Sequence, residues 1–271
     1  IQATIDAAAK NGGGTVWFPA GTYLSGTIYL RNGITLHLDS GAVLLGSTRL
    51  EDYPVNRPKI RSYTDNYVER SLIAGEDLQN ITITGRGMID GQGGAFKWKD
   101  YLNRPYVIRL VNCFNVMVEN ITMQNSAMWM QHYLACSDLT IRGIRVTNFA
   151  TYNNDGLDID SCQNVRISDC QIFSDDDALC LKSTTLLPCE NVTITNCLLG
   201  SHCNALKMGT ESNGGFKNIS ISNCTIQSLR NQPALSGEQR GLSGISLEVV
   251  DGGVMDRVAM SNATMDGGIA P

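Results

Sequence analysis

The amino-acid sequence predicts an all-β protein, built as a single-stranded parallel β-helix with a short capping helix at its N-terminus. First, an Asn or Asp followed by a short alternating strand recurs, with starts separated by 35, 23, 26, 27 and 27 residues. Second, the segments between these strands show no convincing helical periodicity. Third, the 27 glycines and frequent Asn, Ser and Thr favour a chain rich in turns. Strands that recur at this interval without crossover helices stack as the coils of a solenoid.

The stretch Ile1–Lys10 is rich in alanine and favours a helix. We expect this helix to cover the open end of the first coil, where backbone groups would otherwise be unpaired. The rest of the chain has room for about ten coils of this length. We therefore expect one β-helix domain over residues 1–271, and truncation at both ends is left open.

Six copies of the repeated strand carry apolar residues on alternate positions, and these side chains should face the core. The copies begin at Asn80, Asn115, Asp138, Asn164, Asn191 and Asn218. Six Asn-x-Ser/Thr sequons share this rhythm, so we interpret them as structural and not as glycan sites. They lie at Asn80, Asn120, Asn191, Asn218, Asn223 and Asn262.

Seven of the nine cysteines fall into two columns of the predicted solenoid. The sequence has neither a CxxC pair nor a Cys/His cluster, which a metal site would need. We therefore predict small buried hydrophobic residues and no metal site. The two columns are Cys113, Cys136, Cys162 and Cys189, and Cys170, Cys197 and Cys224.

The net charge of −5 argues against nucleic-acid binding, which requires a basic surface. No apolar run approaches the roughly 20 residues that span a membrane. We expect no nucleic-acid partner, no membrane association and a monomer. No signal peptide is visible in the chain, which begins at Ile1.

The densest group of acids is divided between two places in the sequence that are about one coil apart. Asp155 precedes the adjacent pair Asp176 and Asp177 by 21 and 22 residues, close to one turn of the solenoid. We therefore expect the three carboxylates on adjoining coils. Crowding of like charges raises carboxyl pKa values and suits an acid–base site.

Aligning the next strand of each coil gives two inward columns and two outward ones. The inward columns are Leu157, Leu179, Leu206 and Ile245, and Ile159, Leu181, Met208 and Leu247. The outward columns are Asp158, Cys180, Lys207 and Ser246, and Asp160, Lys182, Gly209 and Glu248. The same count puts His132 beside Asp158, so His132, Lys182 and Lys207 should flank the acids.

Paired carboxylates at this spacing suit hydrolysis of a glycosidic bond, with one as general acid and another activating water. An Asp-rich turn that binds backbone amides, or a calcium site, would use the same residues. The acids alone leave these alternatives open.

The residues resemble the polygalacturonase family of glycoside hydrolases, right-handed parallel β-helices that degrade pectin. Gly12-Gly-Gly-Thr-Val-Trp-Phe-Pro-Ala-Gly-Thr-Tyr23 resembles the opening coil of the wider pectin-lyase-like superfamily. Asn125-Ser-Ala-Met-Trp-Met-Gln-His132 resembles the strand before the catalytic region. Asn153-Asn-Asp155 is similar to the Asn-Thr-Asp motif, and Asp176-Asp177 to the Asp-Asp motif.

The resemblance implies an inverting mechanism in which Asp176 is the general acid, while Asp155 and Asp177 hold and deprotonate water. It implies a pectic poly- or oligosaccharide substrate, no cofactor, and a secreted or periplasmic location. The expected substrate contacts are Asn153, His132, Lys182, His202, Asn204 and Lys207.

Two motifs depart from the family pattern. Asn204 stands where the Gly-His-Gly motif has its histidine, and His202 lies two residues earlier. Ser246-Leu247-Glu248 aligns with the Arg-Ile-Lys motif that grips the substrate carboxylate, so an acid replaces a lysine. Because Glu248 would repel a uronate, a rhamnogalacturonan linkage is a candidate beside galacturonan.

Two alternative functions remain at this point. A calcium-dependent polysaccharide lyase would use the same solenoid and acids. A non-catalytic carbohydrate-binding solenoid is favoured by the missing histidine and disfavoured by the intact acids.

Overall fold

A computed structural model describes residues 1–61, 69–97 and 99–266. These residues form three parallel sheets of nine, nine and eight strands. The chain passes from the first sheet to the second and then to the third, so each complete coil contributes one strand to each sheet. This architecture confirms the predicted right-handed parallel β-helix.

The strand bounds of the three sheets follow in chain order. The first sheet consists of Gly14–Phe18, Ile34–Leu38, Gln79–Gly85, Phe114–Glu119, Ser137–Arg142, Gln163–Ser168, Cys189–Thr195, Phe216–Ser222 and Met255–Ser261. The second consists of Gly21–Ser25, Ala42–Gly46, Met88–Asp90, Thr122–Gln124, Arg145–Asn148, Gln171–Ser174, Leu198–Ser201, Thr225–Ile226 and Thr264–Met265. The third consists of Ile28–Tyr29, Ser71–Glu76, Tyr106–Val111, Gln131–Leu134, Leu157–Asp160, Leu179–Ser183, Asn204–Ser212 and Ser243–Leu247.

The predicted N-terminal helix is confirmed as Gln2–Lys10. Ile5 is fully buried against the first coil. The Gln2 side chain donates to the carbonyl of Tyr29 at 3.0 Å and accepts from its amide at 2.8 Å. The helix therefore satisfies backbone groups at the open edge of the third sheet as well as covering the core.

The apolar columns of the repeat form one continuous core, with one exception: Leu247, which was predicted to face inward, is 49% exposed. Leu157 pairs with Leu179, and Leu206 with Ile245, as the alignment predicts. All nine cysteines are buried free thiols, and the sulfurs of all but Cys203 donate to backbone carbonyls, for example from Cys162 to Tyr133 at 3.2 Å. The prediction that the cysteines are buried hydrophobic residues is confirmed.

Insertions explain why nine coils are described where about ten were expected. Long connections separate successive strands at residues 47–70, 91–105 and 227–242. Together they contain enough residues for a further coil. Three short 3₁₀ helices lie in the first two connections, at Leu50–Asp52, Gly93–Phe96 and Tyr101–Asn103. Among the described residues, none of the helices is long and apolar enough to cross a membrane.

Candidate active site

The third sheet carries the candidate site on its outer face. Asp155 lies just before the strand Leu157–Asp160, and Asp176 and Asp177 lie before the next strand, Leu179–Ser183. Gly156 permits this stacking, because a Cβ there would lie 2.6 Å from the carbonyl oxygen of Ala178. The backbone amide of Gly156 instead donates to the carbonyl of Asp177 at 2.9 Å.

The structure brings the three predicted acids together. One carboxylate oxygen from each of Asp155, Asp176 and Asp177 lies within 4.8 Å of the other two. Asp155 and Asp177 are each only 3% exposed, whereas Asp176 is half-buried. All three line a groove of about 200 Å³, called here the acid groove. Its other lining residues are Tyr101, Met128, Trp129, Asn153, Lys182, Lys207, Thr210 and Glu211.

The three carboxyl groups have different electrostatic environments. Burial raises the pKa of Asp155 well above its ordinary value, and the charges of Asp158 and Asp176 raise it further. Burial, followed by the charge of Asp177, also raises the pKa of Asp176. Both effects disfavour the charged form, so these groups are poised to hold protons.

Asp177 is surrounded by hydrogen-bond donors and a cation. Its Oδ1 accepts from the Asn204 side chain at 2.6 Å and from the Asn204 backbone at 3.1 Å. The Lys207 ammonium lies 3.1 Å from its Oδ2. Burial alone would lower the pKa of Lys207, but Asp177 raises it above the ordinary value. Asp177 is thus held in place by two hydrogen bonds from Asn204 and by the Lys207 ammonium.

Asn154 links the two coils that carry the acids. Its Oδ1 accepts from the backbone amide of Asp176 at 3.2 Å, and its Nδ2 donates to the carbonyl of Asn148 at 2.8 Å. Asn154 is fully buried, so both bonds are shielded from water. The middle residue of the Asn153-Asn154-Asp155 motif therefore fixes the spacing between Asp155 and Asp176.

One predicted alignment is wrong. Lys182 does not lie opposite Gly209, because the pairing with the next strand shifts after Leu181 and resumes at Ser183 opposite Ser212. The irregularity brings Glu211 to Lys182, with Nζ and Oε2 3.2 Å apart. Sequence alignment missed Glu211, because the count along the strand assumed an unbroken register.

Lys182 is the central cation of the acid groove. Its ammonium lies 3.7 Å from Asp158 Oδ1 and 4.7 Å from the centre of the Trp129 ring. Asp158 is fully buried, and burial raises its pKa well above the ordinary value although Lys182 lowers it. The Lys182 ammonium therefore lies between Glu211, which lines the groove, and the buried Asp158.

His132 does not line the acid groove. The register opposite Asp158 is confirmed, but His132 is only 2% exposed and its Nε2 lies 3.1 Å from Asp160 Oδ2. Thr184 donates to the same carboxylate through its hydroxyl at 2.6 Å and its amide at 2.9 Å. Burial would raise the pKa of Asp160, but the hydrogen bonds from His132 and Thr184 lower it. The expected substrate contact is thus corrected: His132 packs beneath Trp129, whose ring centre is 5.2 Å away.

His202 is also absent from the groove. It is fully buried, with Nδ1 2.8 Å from Asp175 Oδ1 and Nε2 3.3 Å from the carbonyl oxygen of Leu229. The expected substrate contact is corrected here too, because the 227–242 connection covers the imidazole. Asn204 likewise does not line the groove, and its amide is bonded to Asp177 and Ser243. Of the six expected contacts, Asn153, Lys182 and Lys207 line the groove.

Arg104 holds the Asn153 side chain in place, and no motif of the sequence predicts this contact. Its guanidinium is buried and donates to Asn153 Oδ1 at 2.9 Å and to the carbonyl of Tyr152 at 2.6 Å. It stacks over the rings of Tyr101 and Tyr152 at 5.0 and 4.9 Å. An arginine 49 residues before Asn153 belongs to another coil, so local motif reading does not connect the two.

Glu248 is held beside the groove as the alignment expects. Its carboxylate accepts from the hydroxyls of Thr210 and Ser246, each at 2.7 Å. Burial would raise the pKa of Glu248, but these two hydrogen bonds and the charges of Lys207 and Lys182 lower it. Glu248 therefore stays negatively charged at neutral pH.

Asp155, Asp176 and Asp177 are the one group of acids, cysteines and histidines in the described ranges with the spacing to hold a metal ion. Hard carboxylate oxygens suit calcium. However, the Lys207 ammonium already occupies the Asp177 side at 3.1 Å, and Lys182 lines the same groove. A divalent cation there would face two positive charges, so this donor set fits a metal poorly.

Comparison with known sequences gives a family match. Residues 15–234 match the sequence profile described as "Glycosyl hydrolases family 28". A "Probable polygalacturonase" of Vitis vinifera is 37% identical over 187 residues, which is 64% of this chain and 38% of that protein. The chain therefore spans well under half the length of this relative.

Solved structures share the fold. The "hyperthermoactive Exopolygalacturonase from Thermotoga maritima" superposes with a TM-score of 0.80 at 22% identity, over 96% of this chain and 70% of that one. The "Family 28 Exopolygalacturonase" of Yersinia enterocolitica superposes with a TM-score of 0.81 at 21% identity, over 98% and 55%. At this identity the likeness is one of fold.

Proposed function

Because the chain belongs to glycosyl hydrolase family 28, we propose that it hydrolyses glycosidic bonds in a pectic poly- or oligosaccharide. The observation that carries the proposal is the set of three carboxyl groups, with oxygens within 4.8 Å, in unlike environments along one groove. Paired carboxyl groups that differ in protonation are what acid–base cleavage of a glycosidic bond requires.

In the proposed mechanism, Asp176 is the general acid. Its raised pKa keeps a proton available, and its half-buried position gives a sugar access to it. The proton passes from the Asp176 carboxyl to the departing glycosidic oxygen as the bond to the anomeric carbon breaks. Asp176 is left as a carboxylate and regains a proton from solvent before the next cycle.

Asp155 and Asp177 are proposed to hold the attacking water. A water that makes two hydrogen bonds of about 2.8 Å fits between carboxyl groups at this spacing. Asp177, which is hydrogen-bonded to Asn204 and paired with Lys207, is proposed to take the water's proton as the water oxygen attacks the anomeric carbon. Attack from the face opposite the leaving group inverts the anomeric configuration.

Asn153, Lys182 and Lys207 are the proposed polar substrate contacts, because they line the acid groove. The acidic residues in and beside the groove affect which pectic linkage can bind there. Lys182 is already paired with Glu211, and Glu248 stands nearby as a carboxylate. A uronate carboxylate would meet these acids, so a linkage that presents a neutral sugar there, as in rhamnogalacturonan, is proposed beside galacturonan.

Pectic polymers are too large to cross a membrane unaided, so we propose that the protein acts outside the cytoplasm, as a secreted or periplasmic enzyme.

The test is cleavage of homogalacturonan and rhamnogalacturonan oligosaccharides in ¹⁸O-water, followed by mass spectrometry. Hydrolysis places one ¹⁸O at the new reducing end, whereas a lyase product contains none and absorbs in the ultraviolet.

We expect Asp176→Asn to lower kcat about 10²- to 10⁴-fold, the usual value of general acid catalysis. Asp169→Asn, at an exposed turn, is the matched control. Full activity in Asp176→Asn would refute the assignment of the acid, and binding without turnover by the parent would favour the non-catalytic alternative.

A further inference from the structure

A buried side-chain pair, Asp175 and His202, lies directly behind the proposed general acid. Asp175 precedes Asp176, and both Asp175 and His202 are fully buried. His202 Nδ1 lies 2.8 Å from Asp175 Oδ1, and Nε2 lies 3.3 Å from the carbonyl oxygen of Leu229. The imidazole is therefore held at both ring nitrogens, by Asp175 on one side and by the 227–242 connection on the other.

The same carboxylate fixes a long insertion of the solenoid. The 227–242 loop has 16 residues between the strands Thr225–Ile226 and Ser243–Leu247, whereas two residues make the equivalent connection one coil earlier. Leu235 and Ser236 donate their backbone amides to the two oxygens of Asp175, each at 2.6 Å. The loop thus folds back over two coils to reach Asp175.

The loop also contacts the His202 backbone at close range. The amide of Glu238 donates to the carbonyl of His202 at 2.8 Å. Gly237 allows this approach, because a Cβ there would lie 1.9 Å from the His202 carbonyl oxygen. The amide of Leu242 donates to the carbonyl of Cys203 at 2.7 Å. The segment from His202 to Cys203 is therefore clamped between the loop and the coil below.

This clamped segment holds the backbone of Asp176. The Ser201 hydroxyl donates to the carbonyl of Asp176 at 2.6 Å and accepts from the amide of Cys203 at 2.7 Å. Ser174 donates to the same carbonyl at 2.6 Å. Any release of the loop would therefore loosen Asp176 through Ser201 and Cys203.

We propose that Asp175, His202 and the 227–242 loop form a positioning unit, in which the buried Asp175–His202 hydrogen-bonded pair anchors the loop and thereby fixes Asp176 for proton transfer. Asp175 and His202 act through Asp176 and do not touch the substrate. This inference rests on the proposed function for its catalytic consequence, but the anchoring itself does not depend on any activity.

Two substitutions of His202 test its two hydrogen bonds separately, the one from Nδ1 to Asp175 and the one from Nε2 to Leu229. An asparagine amide nitrogen replaces Nδ1, so His202→Asn keeps a donor for Asp175, whereas a glutamine amide nitrogen replaces Nε2, so His202→Gln removes that donor. The matched control is His37→Gln, because His37 forms an exposed pair with Asp39 at 3.1 Å on the far side of the solenoid. Gly237→Ala is a second probe, which displaces the loop while both side chains of the Asp175–His202 pair remain present.

Three measurements on the folded protein report the result. In His202→Gln, we expect the amides of Leu235 and Ser236 to exchange with deuterium about tenfold faster or more. The titration midpoint of the Asp176 carboxyl, followed by ¹³C NMR, should fall toward its ordinary value as water reaches it. With a pectic oligosaccharide, kcat should fall about 10- to 100-fold with little change in KM, since a small misplacement of a reacting group has that effect. His202→Asn should show weaker effects than His202→Gln. Gly237→Ala should show the same effects as His202→Gln. The control His37→Gln should change none of the three measurements.

The outcomes that overturn the proposal are distinct. Unchanged exchange at Leu235 and Ser236 in His202→Gln would show that the pair does not anchor the loop, whatever the result for Gly237→Ala. Faster exchange with an unchanged Asp176 titration would show an anchor that does not position the acid. If the parent cleaves no pectic substrate, the proposed function fails, while the exchange and titration data still decide the anchor.

Discussion

At the scale of single residues, Asp176 is subject to opposing demands of stability and chemistry. Burial and the neighbouring Asp177 both raise its pKa. A carboxyl group whose pKa is raised by folding stabilises the folded state only while it is protonated. The same environment that makes Asp176 a proposed acid therefore costs stability once it ionises.

We predict that Asp176→Asn increases thermal stability at neutral pH. Because the folded-state pKa is above the unfolded one, the contribution of Asp176 is fully present below the unfolded value of about 4 and is lost as pH rises through the folded value. Asparagine cannot ionise, so the variant should gain Tm over the parent at pH 7, and the gain should disappear near pH 3. Differential scanning calorimetry at both values measures this, with Asp169→Asn as the exposed control. A lower Tm for Asp176→Asn at pH 7 would contradict the argument.

The clustering of Asp155, Asp176 and Asp177 was predictable from sequence, because their offset of 21 and 22 residues matches the repeat. The surroundings of His132 and His202 were not. Their burial depends on Asp160 and on the 227–242 loop, which the coil period does not encode. Glu211 was missed for another reason: a strand irregularity after Leu181 changes which residue faces Lys182.

At the scale of structural elements, an asparagine ladder joins neighbouring strands of the first sheet near their starts. Asn191 has φ 56°, and the neighbouring strands repeat this left-handed conformation at Asn164 and Asn218. Asn191 donates to Asn164 Oδ1 at 3.1 Å and accepts from Asn218 Nδ2 at 2.7 Å. Asparagine suits both tasks, because it tolerates positive φ and bonds in line with its copies. The same conformation at all six sequon asparagines explains why the sequence repeats there.

We predict that Asn191→Ala lowers the free energy of unfolding by about 1–3 kcal/mol, through left-handed strain of about 1–2 kcal/mol and the loss of ladder bonds. Asn191→Gly should cost less, because it relieves the strain but still loses the bonds. Thr193→Ala, an exposed change on the same strand, serves as the control. Urea denaturation measures all three. Equal stability of Asn191→Ala and Thr193→Ala would refute a role for the ladder.

The elements that sequence predicted well are those that obey the repeat. Strand register through Leu157, Leu179 and Leu206 follows from alternation, since a slip of one residue would expose the core face. The connections at residues 47–70, 91–105 and 227–242 have no repeat partner. Their contacts, such as Arg104 with Asn153, are set by packing between distant segments, which local patterns do not specify.

At the scale of the whole molecule, the core has no break between coils. Buried apolar residues form one cluster that extends from Ile5 to Ile226. Each coil buries its apolar face only against its neighbours, so its stability depends on adjacent coils. The extent of the cluster supports our proposal that the chain forms one domain.

A single domain of this kind should unfold in one transition. We predict that Ile34→Ala, in an early coil, and Ile194→Ala, in a late one, each lower the Tm of the same transition, because both side chains are fully buried. A loss of about 2–5 kcal/mol from each truncation corresponds to a fall of very roughly 5–15 °C for a chain of this size. Calorimetry measures the transition, with circular dichroism and Trp fluorescence as independent probes. Coupled coils require that the calorimetric and van't Hoff enthalpies agree in both variants. A second peak that moves with only one of the two substitutions would instead show that the early and late coils are separate cooperative units.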